Sequence, residues 1–408
     1  MRQVQHNQAS SANHNQTMIQ DQLFAMLQRE YKYNLPYTVN NSDGLGSVMQ
    51  QHRKWRGQIC EWCYSVVDHF ELDREVVSLA MDYFDRHIMI TVLHTAESGS
   101  MCSKDYQLVA MTCLFVASKA HADRVLGSCE EARRQMVHLN SFVELSRGQF
   151  TAEDVISAEK SLLSSLDWRV NPVTPMSFVS FMLSVFHNAI EVKSSHWDLV
   201  LNVLHESSRY LTELAVCLPE MTELKTLSST AAVSVVRKSF PPSYVAFASI
   251  LISMKMLTPE AIPYELRCSF ASIMSQLSES ASPYSSDGFY LHPENEDILY
   301  LTRMLLQDFN PDMILDQAAQ ACPLGEQHPI CVAQRFGLIN MSVSDDKSMD
   351  QYIFRNNGRS PQDISFEMKK DNLSRSSSIV SVMHDLSNGG YKMSSTSPSH
   401  VHYYDMTQ

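Results

Sequence analysis

One segment, residues 104–120, limits the folds open to this 408-residue chain more than any other, because it is apolar on nearly every side of a helix. Its apolar residues are Leu108, Val109, Ala110, Met111, Leu114, Phe115, Val116 and Ala117. A helix that is apolar all round needs packing neighbours on every side, and such a helix lies in the middle of a bundle. This part of the chain should therefore fold as a helical bundle.

The neighbouring segments supply the other helices of such a bundle. Before the central segment, apolar residues step by three and four along one helical face: Trp55, Ile59, Trp62, Cys63, Val66, Val67 and Phe70. Asp73 is a suitable N-cap for the next helix. After the central segment, a weaker helical pattern covers residues 130–139, and Thr151 with Asp154 forms a capping box at the start of a fifth helix. Five helices in about 120 residues, with no credible strand, predict an all-α domain.

A second helical half follows Pro172 and Pro175. Helical apolar patterns recur at residues 178–185, 199–214, 244–257 and 262–277,. We therefore predict four parts, in chain order: a polar, disordered segment (1–16), an N-terminal helix with the first helical domain (17–170), a second helical domain (171–282), and a mostly disordered tail with one helix near 297–309 (283–408).

Composition argues against several classes of function. The formal net charge of -13 does not suit nucleic-acid binding through phosphates,. The longest apolar stretches, 108–117 and 244–254, are shorter than the roughly 18 residues that span a bilayer, so we expect no membrane contact. Nine scattered cysteines and a polar N-terminus predict free thiols in a reducing compartment, the nucleus or the cytoplasm,. No motif for catalysis, a cofactor or a metal is present.

Four stretches of the first domain resemble the cyclin box. Residues 55–62 (WRGQICEW) resemble the motif M-R-x-x-L-x-x-W, and residues 79–86 (LAMDYFDR) resemble L-A-x-x-Y-x-D-R. Residues 106–119 (YQLVAMTCLFVASK) resemble L-Q-L-V-G…A-S-K, and residues 156–168 resemble the family's fifth-helix pattern. These stretches follow each other in the family's order and at its spacing.

The resemblance implies two tandem five-helix cyclin boxes in a protein that binds and activates a cyclin-dependent Ser/Thr protein kinase in cell-cycle control. Such a chain is a regulatory subunit and not an enzyme. In the second half, residues 240–246 (FPPSYVA) are similar to the P-P-S-x-x-A of D-type cyclins. Two alternatives stay open: a cyclin-box protein of the transcription machinery, and a helical scaffold that activates no kinase.

The resemblance also implies roles for five residues. Arg56 and Asp85 lie in apolar helical surroundings, where a buried charge needs a partner, and their family counterparts form a structural ion pair. Lys119 and Glu159 match residues that contact the kinase around its regulatory helix, and Leu108 belongs to the same surface. The alternatives are a cation at a helix C-terminus for Lys119 and an ordinary exposed residue for Glu159.

Trp55, Ile59, Trp62 and Gln107 match the groove in which cyclins dock substrate or inhibitor peptides with an R-x-L core. Exposed apolar groups with one amide suit such a peptide, and the alternative is a plain core stripe. Ser65 stands where the family has an acid, so the expected partner of the peptide's arginine is missing.

Two further patterns complete the set of candidate sites. Cys60 and Cys63 form a C-x-x-C, but the pattern lies within a helix and has no second copy, so we expect neither a redox nor a zinc role. Ser282, Ser360 and Ser397 precede prolines and are candidate sites for proline-directed phosphorylation.

Overall fold

The computed structural model describes residues 2–33, 37–39, 45–94, 102–126, 138–190, 196–218, 234–236, 240–281, 291–321 and 328–340. Within these ranges the regular structure is helical apart from one antiparallel pair of three-residue strands. The prediction of an all-α fold is confirmed for this part of the chain.

The elements fall into two halves. The first half contains α1 (Arg2–Tyr33), β1 (Tyr37–Val39), α2 (Leu45–His69), α3 (Glu75–His94), α4 (Ser103–Leu126), α5 (Leu139–Leu145) and α6 (Ala152–Ser165). The second half contains α7 (Pro175–Ala189), α8 (Trp197–Cys217), β2 (Ser234–Val236), α9 (Pro242–Met256), α10 (Tyr264–Ala281), α11 (Glu296–Asp308), α12 (Pro311–Ala321) and α13 (Pro329–Arg335). Strand β1 pairs with β2 across the two halves, with Tyr37 opposite Val236.

The first core is built around α4, as the sequence predicts. This helix packs against α2, α3, α5 and α6. Its buried residues include Leu114, Phe115, Val116 and Ala117, four successive positions that point to different sides of the helix,. Helices α2 to α6 therefore form the predicted five-helix box, although the helix expected at residues 130–139 lies mostly outside the described residues.

The second core is built around α9, which is buried along almost its whole length. It packs against α7, α8 and α11. Helix α9 takes this central position because its apolar residues leave no polar face to turn toward water. Helices α7 to α11 thus repeat the five-helix arrangement, and α12 and α13 add to it.

The N-terminal helix belongs to the second core rather than the first. Leu23 and Leu27 of α1 are buried in the second core, and α1 packs against α10. Glu30 is buried at the N-terminus of α9, where its carboxylate accepts hydrogen bonds from the Ser243 backbone N–H at 2.7 Å and from the Ser243 hydroxyl at 2.9 Å. This carboxylate caps α9, whose own N-cap residue, Pro241, makes no side-chain hydrogen bond,.

The structure corrects two predicted boundaries. Residues 1–16 were predicted to be disordered, but α1 begins at Arg2. Those residues contain no glycine or proline, so a helix anchored by Leu23 and Leu27 can extend through them. The mostly disordered tail was predicted to begin at residue 283, but α11, α12 and α13 pack into the second core. Helices α12 and α13, with 11 and 7 residues, are too short to give a strong pattern alone. The helix expected near 297–309 is confirmed as α11.

The two halves meet along α8, which contacts α2 and α3. Arg74 donates to Glu213 at 2.7 Å, and Arg209 donates to the same carboxylate at 3.1 Å. Burial raises the pKa of the Glu213 carboxyl, although both arginines oppose this. Val216, near the end of α8, is buried in the first core, so α8 belongs to both halves.

Candidate functional site

The predicted ion pair of Arg56 and Asp85 is present and buried. Arg56 Nε lies 3.0 Å from Asp85 Oδ1, and Arg56 Nη2 lies 3.0 Å from Asp85 Oδ2. Burial alone raises the pKa of the Asp85 carboxyl, but Arg56 and His52 outweigh it and hold that pKa well below its usual range. The pair therefore joins α2 to α3 as two full charges.

Arg56 also ties the first core to the second half. Its Nη1 donates to the backbone carbonyl of Val216 at 2.7 Å and to that of Leu218 at 3.1 Å. Both carbonyls belong to the C-terminal end of α8, where helical carbonyls lack partners within their own helix. One guanidinium thus satisfies a carboxylate on α3 and two carbonyls at the end of α8.

Lys119 and Glu159 lie side by side on the surface of the first core. Lys119 Nζ of α4 donates to Glu159 Oε1 of α6, and the two side chains are 34% and 20% exposed. The ammonium also lies 4.3 Å from the centroid of the Phe115 ring. Both groups are held in place and still reachable from solvent, which neither of the two alternative interpretations predicts.

The capping box that the sequence predicts fixes the start of α6. Thr151 Oγ1 accepts from the Asp154 backbone N–H at 3.2 Å, and Asp154 Oδ2 accepts from the Thr151 backbone N–H at 2.9 Å. The hydrogen bond from the Thr151 backbone N–H, together with one from the Thr151 side chain, lowers the pKa of the exposed Asp154 carboxyl. Because α6 begins at a defined residue, the position of Glu159 on α6 relative to Lys119 on α4 is defined too.

Two exposed apolar side chains lie on α6, the helix of Glu159, and just after its end. Ile156, one turn before Glu159 on α6, is 41% exposed, and Trp168, just after the helix, is 71% exposed,. Asp167 and Trp168 both have left-handed backbone angles, with φ of 51° and 59°. A large exposed aromatic on a strained turn is uncommon and points to a binding surface. The motif contained both side chains but gave no sign of their exposure.

Leu108, the third residue predicted for this surface, is half-buried on α4 and packs against the first core. It lies about three helical turns before Lys119 on the same helix,. We define the partner face as Leu108, Lys119, Ile156, Glu159 and Trp168.

The prediction of an exposed peptide-docking groove is wrong for three of its four residues. Ile59, Trp62 and Gln107 are buried, and the first two belong to the core packing of α2. Trp55 is half-buried, with Lys54 Nζ 5.4 Å from its ring centroid. The alternative of a core stripe is correct, because one apolar face of α2 packs against the rest of the first core.

The remaining candidates are two cysteines and three serines. Cys60 and Cys63 are free and buried. Among the residues that the structure describes, no group of three or more His, Cys, Asp or Glu side chains could hold a metal ion. No helix in these same ranges is long and apolar enough to cross a membrane. Ser282, Ser360 and Ser397 lie outside the described residues.

Comparison with known proteins gives the family of the first box. Residues 25–171 match the model of the cyclin N-terminal domain. Cyclin-D3-3 of Arabidopsis thaliana is 30% identical over 161 residues, which are 38% of this chain and 40% of that protein. G1/S-specific cyclin-E1 of Danio rerio is 28% identical over 142 residues, which are 34% of this chain and 30% of that protein. The comparisons thus show that residues 25–171 are similar to the cyclin N-terminal domain.

The matched segment spans less than half of either relative. An X-ray structure of a viral cyclin from herpesvirus saimiri overlaps 62% of this chain and 86% of the viral chain, with a TM-score of 0.37 and 13% sequence identity. That overlap is too weak to support a conclusion about the second half, whose architecture is described above from its own contacts.

Proposed function

We propose that this chain binds and activates a cyclin-dependent Ser/Thr protein kinase, as a regulatory subunit and not as an enzyme. The observation that carries the proposal is the partly exposed pair of Lys119 and Glu159 on a cyclin N-terminal domain. A lysine ammonium donates to backbone carbonyls, and a carboxylate accepts from backbone N–H groups. Together they can hold both kinds of backbone group on a partner's helix or loop.

The apolar part of the partner face supports the same proposal. Ile156, one turn before Glu159, and Trp168, just after the end of α6, expose large apolar surface, and aromatic anchors of this kind often dominate binding energy,. Because Lys119 and Glu159 are already paired, little side-chain freedom is lost when a partner binds. The face therefore combines an apolar anchor with preset polar groups.

Activation in this proposal is a shift between kinase conformations. A cyclin-dependent kinase becomes active when its regulatory helix and activation loop are aligned for phosphoryl transfer. A partner that binds the aligned state better shifts the population toward that state. The rigid support of the face, with α4 at the centre of the first core, makes such selective binding possible.

The kind of process served is also part of the proposal. One relative is described as a G1/S-specific cyclin, which favours a role in cell-cycle control. The net charge of -13 argues against the DNA-binding alternative,. We place the complex in the nucleus or the cytoplasm, and imaging of the tagged full chain tests that placement.

The test is co-expression of the full chain with a panel of cyclin-dependent kinases, followed by pull-down and assay of phosphorylation of a histone substrate. Wild type should recover and activate at least one kinase. Lys119→Ala/Glu159→Ala should weaken binding by about tenfold or more, since both polar anchors are lost. Trp168→Ala should weaken binding without changing any charge.

The matched control is Arg303→Ala/Glu279→Ala, which removes one cation and one anion from exposed positions on α11 and α10. It should bind and activate like wild type. If the folded wild-type chain recovers no kinase, or if the control loses as much binding as the test variant, the proposal fails. Binding of DNA or polymerase would then be measured next.

A further inference from the structure

Two cysteines far apart in the chain meet at the junction of the two halves. Cys60 Sγ on α2 lies 2.9 Å from Cys217 Sγ at the last residue of α8, although 157 positions separate the two residues. Both are free thiols, Cys60 fully buried and Cys217 partly exposed. The C-x-x-C of the sequence therefore contributes one of its cysteines to a contact that the motif itself does not predict.

The surrounding contacts hold the two sulfurs at this distance. Arg56 lies one turn before Cys60 on α2, and its Nη1 binds the carbonyls of Val216 and Leu218, the residues on either side of Cys217. Arg56 is itself held by Asp85. The end of α8 is thus fixed against α2 at the position of the sulfur contact, and a rigid approach of two thiols favours their bonding to each other.

We propose that Cys60 and Cys217 form an oxidation-sensitive thiol pair, which closes to a disulfide under a peroxide and locks α2 to α8. A disulfide has an S–S distance of about 2.05 Å, so the sulfurs must approach by less than about 1 Å. This lock would join the first core to the second half. The proposal does not depend on kinase binding.

The chemistry balances with a peroxide as the oxidant. The partly exposed Cys217 reacts first: its thiolate sulfur attacks and bonds to one peroxide oxygen, the O–O bond breaks, and the second oxygen leaves as water after taking a proton. Cys60 sulfur then bonds to the sulfenic sulfur of Cys217, the S–O bond breaks, and hydroxide leaves as water with the Cys60 proton. Two thiols and one hydrogen peroxide give one disulfide and two waters.

The order of these steps follows from burial. Burial and the hydrogen bond with Cys217 raise the pKa of the Cys60 thiol, with Arg56 acting in the opposite direction. A buried thiol of this kind is a poor first target for a peroxide in solvent. It can still act as the resolving thiol, because the sulfenic acid forms next to it.

Other cysteines offer matched controls. Cys63 is also buried on α2, and burial raises the pKa of its thiol. Cys102 and Cys268 are exposed. Exposure alone therefore predicts oxidation of Cys102 and Cys268, whereas the geometry predicts a link between Cys60 and Cys217.

The experiment treats the reduced full chain with hydrogen peroxide, blocks remaining thiols with N-ethylmaleimide, and maps tryptic peptides without reduction. We expect a linked pair of peptides, 57–74 with 210–225, whose mass is the sum of the two free peptides minus two hydrogens plus one N-ethylmaleimide on Cys63, and which dithiothreitol cleaves. Cys63→Ser and Cys102→Ser/Cys268→Ser should keep the link. Cys217→Ser, at a partly exposed position, should abolish it.

The peptide map of the wild-type chain tests the proposed disulfide even if a serine variant fails to fold. Absence of the 57–74 to 210–225 link, with oxidation confined to Cys102 and Cys268 or to links between chains, overturns the proposal. Survival of the link in a folded Cys60→Ser variant overturns it as well, because Cys63 would then be the partner. The linked monomer should also unfold at a higher temperature than the reduced chain, and dithiothreitol should reverse this.

Discussion

Asp85 lies where α2, α3 and the end of α8 come together. Its carboxylate accepts from Arg56, and the same guanidinium donates to the carbonyls of Val216 and Leu218. The resemblance to the cyclin box implied the pair, and a buried charge among apolar residues needs such a partner. The sequence could not predict the bonds to the two carbonyls, since backbone groups carry no sequence signal. The carbonyls lie 160 and 162 positions after Arg56 in the chain,.

Removing the carboxylate should be costly because it leaves a guanidinium buried without a counter-charge. We expect Asp85→Asn to lower the free energy of unfolding by about 3–5 kcal/mol. Urea unfolding followed by circular dichroism measures this change. The double variant Arg56→Met/Asp85→Leu removes both charges and should lose less stability than Asp85→Asn alone. A loss below about 1 kcal/mol for Asp85→Asn would contradict the assigned role.

His87 gives a pH dependence whose sign can be worked out. It is buried, its Nδ1 lies 2.6 Å from Ser165 Oγ, and burial lowers its pKa from 6.5 to about 4. The unfolded chain therefore takes up this proton at a higher pH than the folded chain. Stability is unaffected above the unfolded value, falls as the pH drops from 6.5 toward 4, and is level below that,.

The His87 contribution can be isolated by subtraction. Between pH 7.5 and pH 5 we expect it to remove about 2 kcal/mol of unfolding free energy. Asn at position 87 cannot titrate and can still hydrogen-bond Ser165, so His87→Asn should show a shallower loss over this interval. Glu206, whose pKa is lowered to about 2 by its bonds to His205 and Arg209, acts only below about pH 4.5,. Equal slopes for the two proteins would refute the assignment.

At the scale of elements, helices differ in the distance along the chain between their N-terminus and the residue that caps it. The cap of α6 is local: Thr151 and Asp154 are three positions apart, and the sequence predicts it correctly. The cap of α9 is distant, because Glu30 and Ser243 are 213 positions apart. A capping carboxylate on another helix has no fixed spacing from the helix that it caps, so no local pattern can reveal it.

The Glu30 cap predicts a coupling between α1 and α9. Glu30→Ala should cost about 1–2 kcal/mol of unfolding free energy, because the Ser243 backbone N–H loses a buried acceptor. Ser243→Ala should cost less, and the double variant should cost less than the sum of the two. Gln28→Ala, at an exposed position on α1, is the control and should change little. Additive effects in this cycle would show that the two residues do not interact.

At the scale of the whole molecule, the sequence predicted the first box better than the second. The first box has strong apolar periodicity and a central helix that is apolar all round, and both signals survive without knowledge of distant contacts. The second half closes with α11, α12 and α13, which contain only 13, 11 and 7 residues. Helices this short get their stability from packing rather than from their own pattern, so the sequence placed the boundary too early.

The packing of the two halves against each other was the other feature that the sequence could not predict. Cys217, Val216 and Leu218 acquire their roles only because α8 ends against α2. The pairing of β1 with β2 across the two halves is a contact of the same kind. Contacts of this kind depend on how two domains pack, and a single sequence carries no periodic signal for them.

The late boundary of the second core gives the last prediction, which compares two truncated chains. A chain ending at residue 282 lacks α11 to α13, and with them the fully buried Ile298, Leu301 and Leu305. Each such side chain contributes about 1.5–3 kcal/mol on burial, while a whole domain is stable by only about 5–15 kcal/mol. We therefore expect its second core to lose cooperative unfolding, and the fluorescence of the buried Trp197 to shift toward that of an exposed tryptophan. A chain ending at residue 340 keeps these helices and should unfold like the full chain, which also tests the predicted flexible tail after that residue. If both truncated chains unfold like the full chain, α11 to α13 do not complete the second core; if both fail, residues beyond 340 contribute to it.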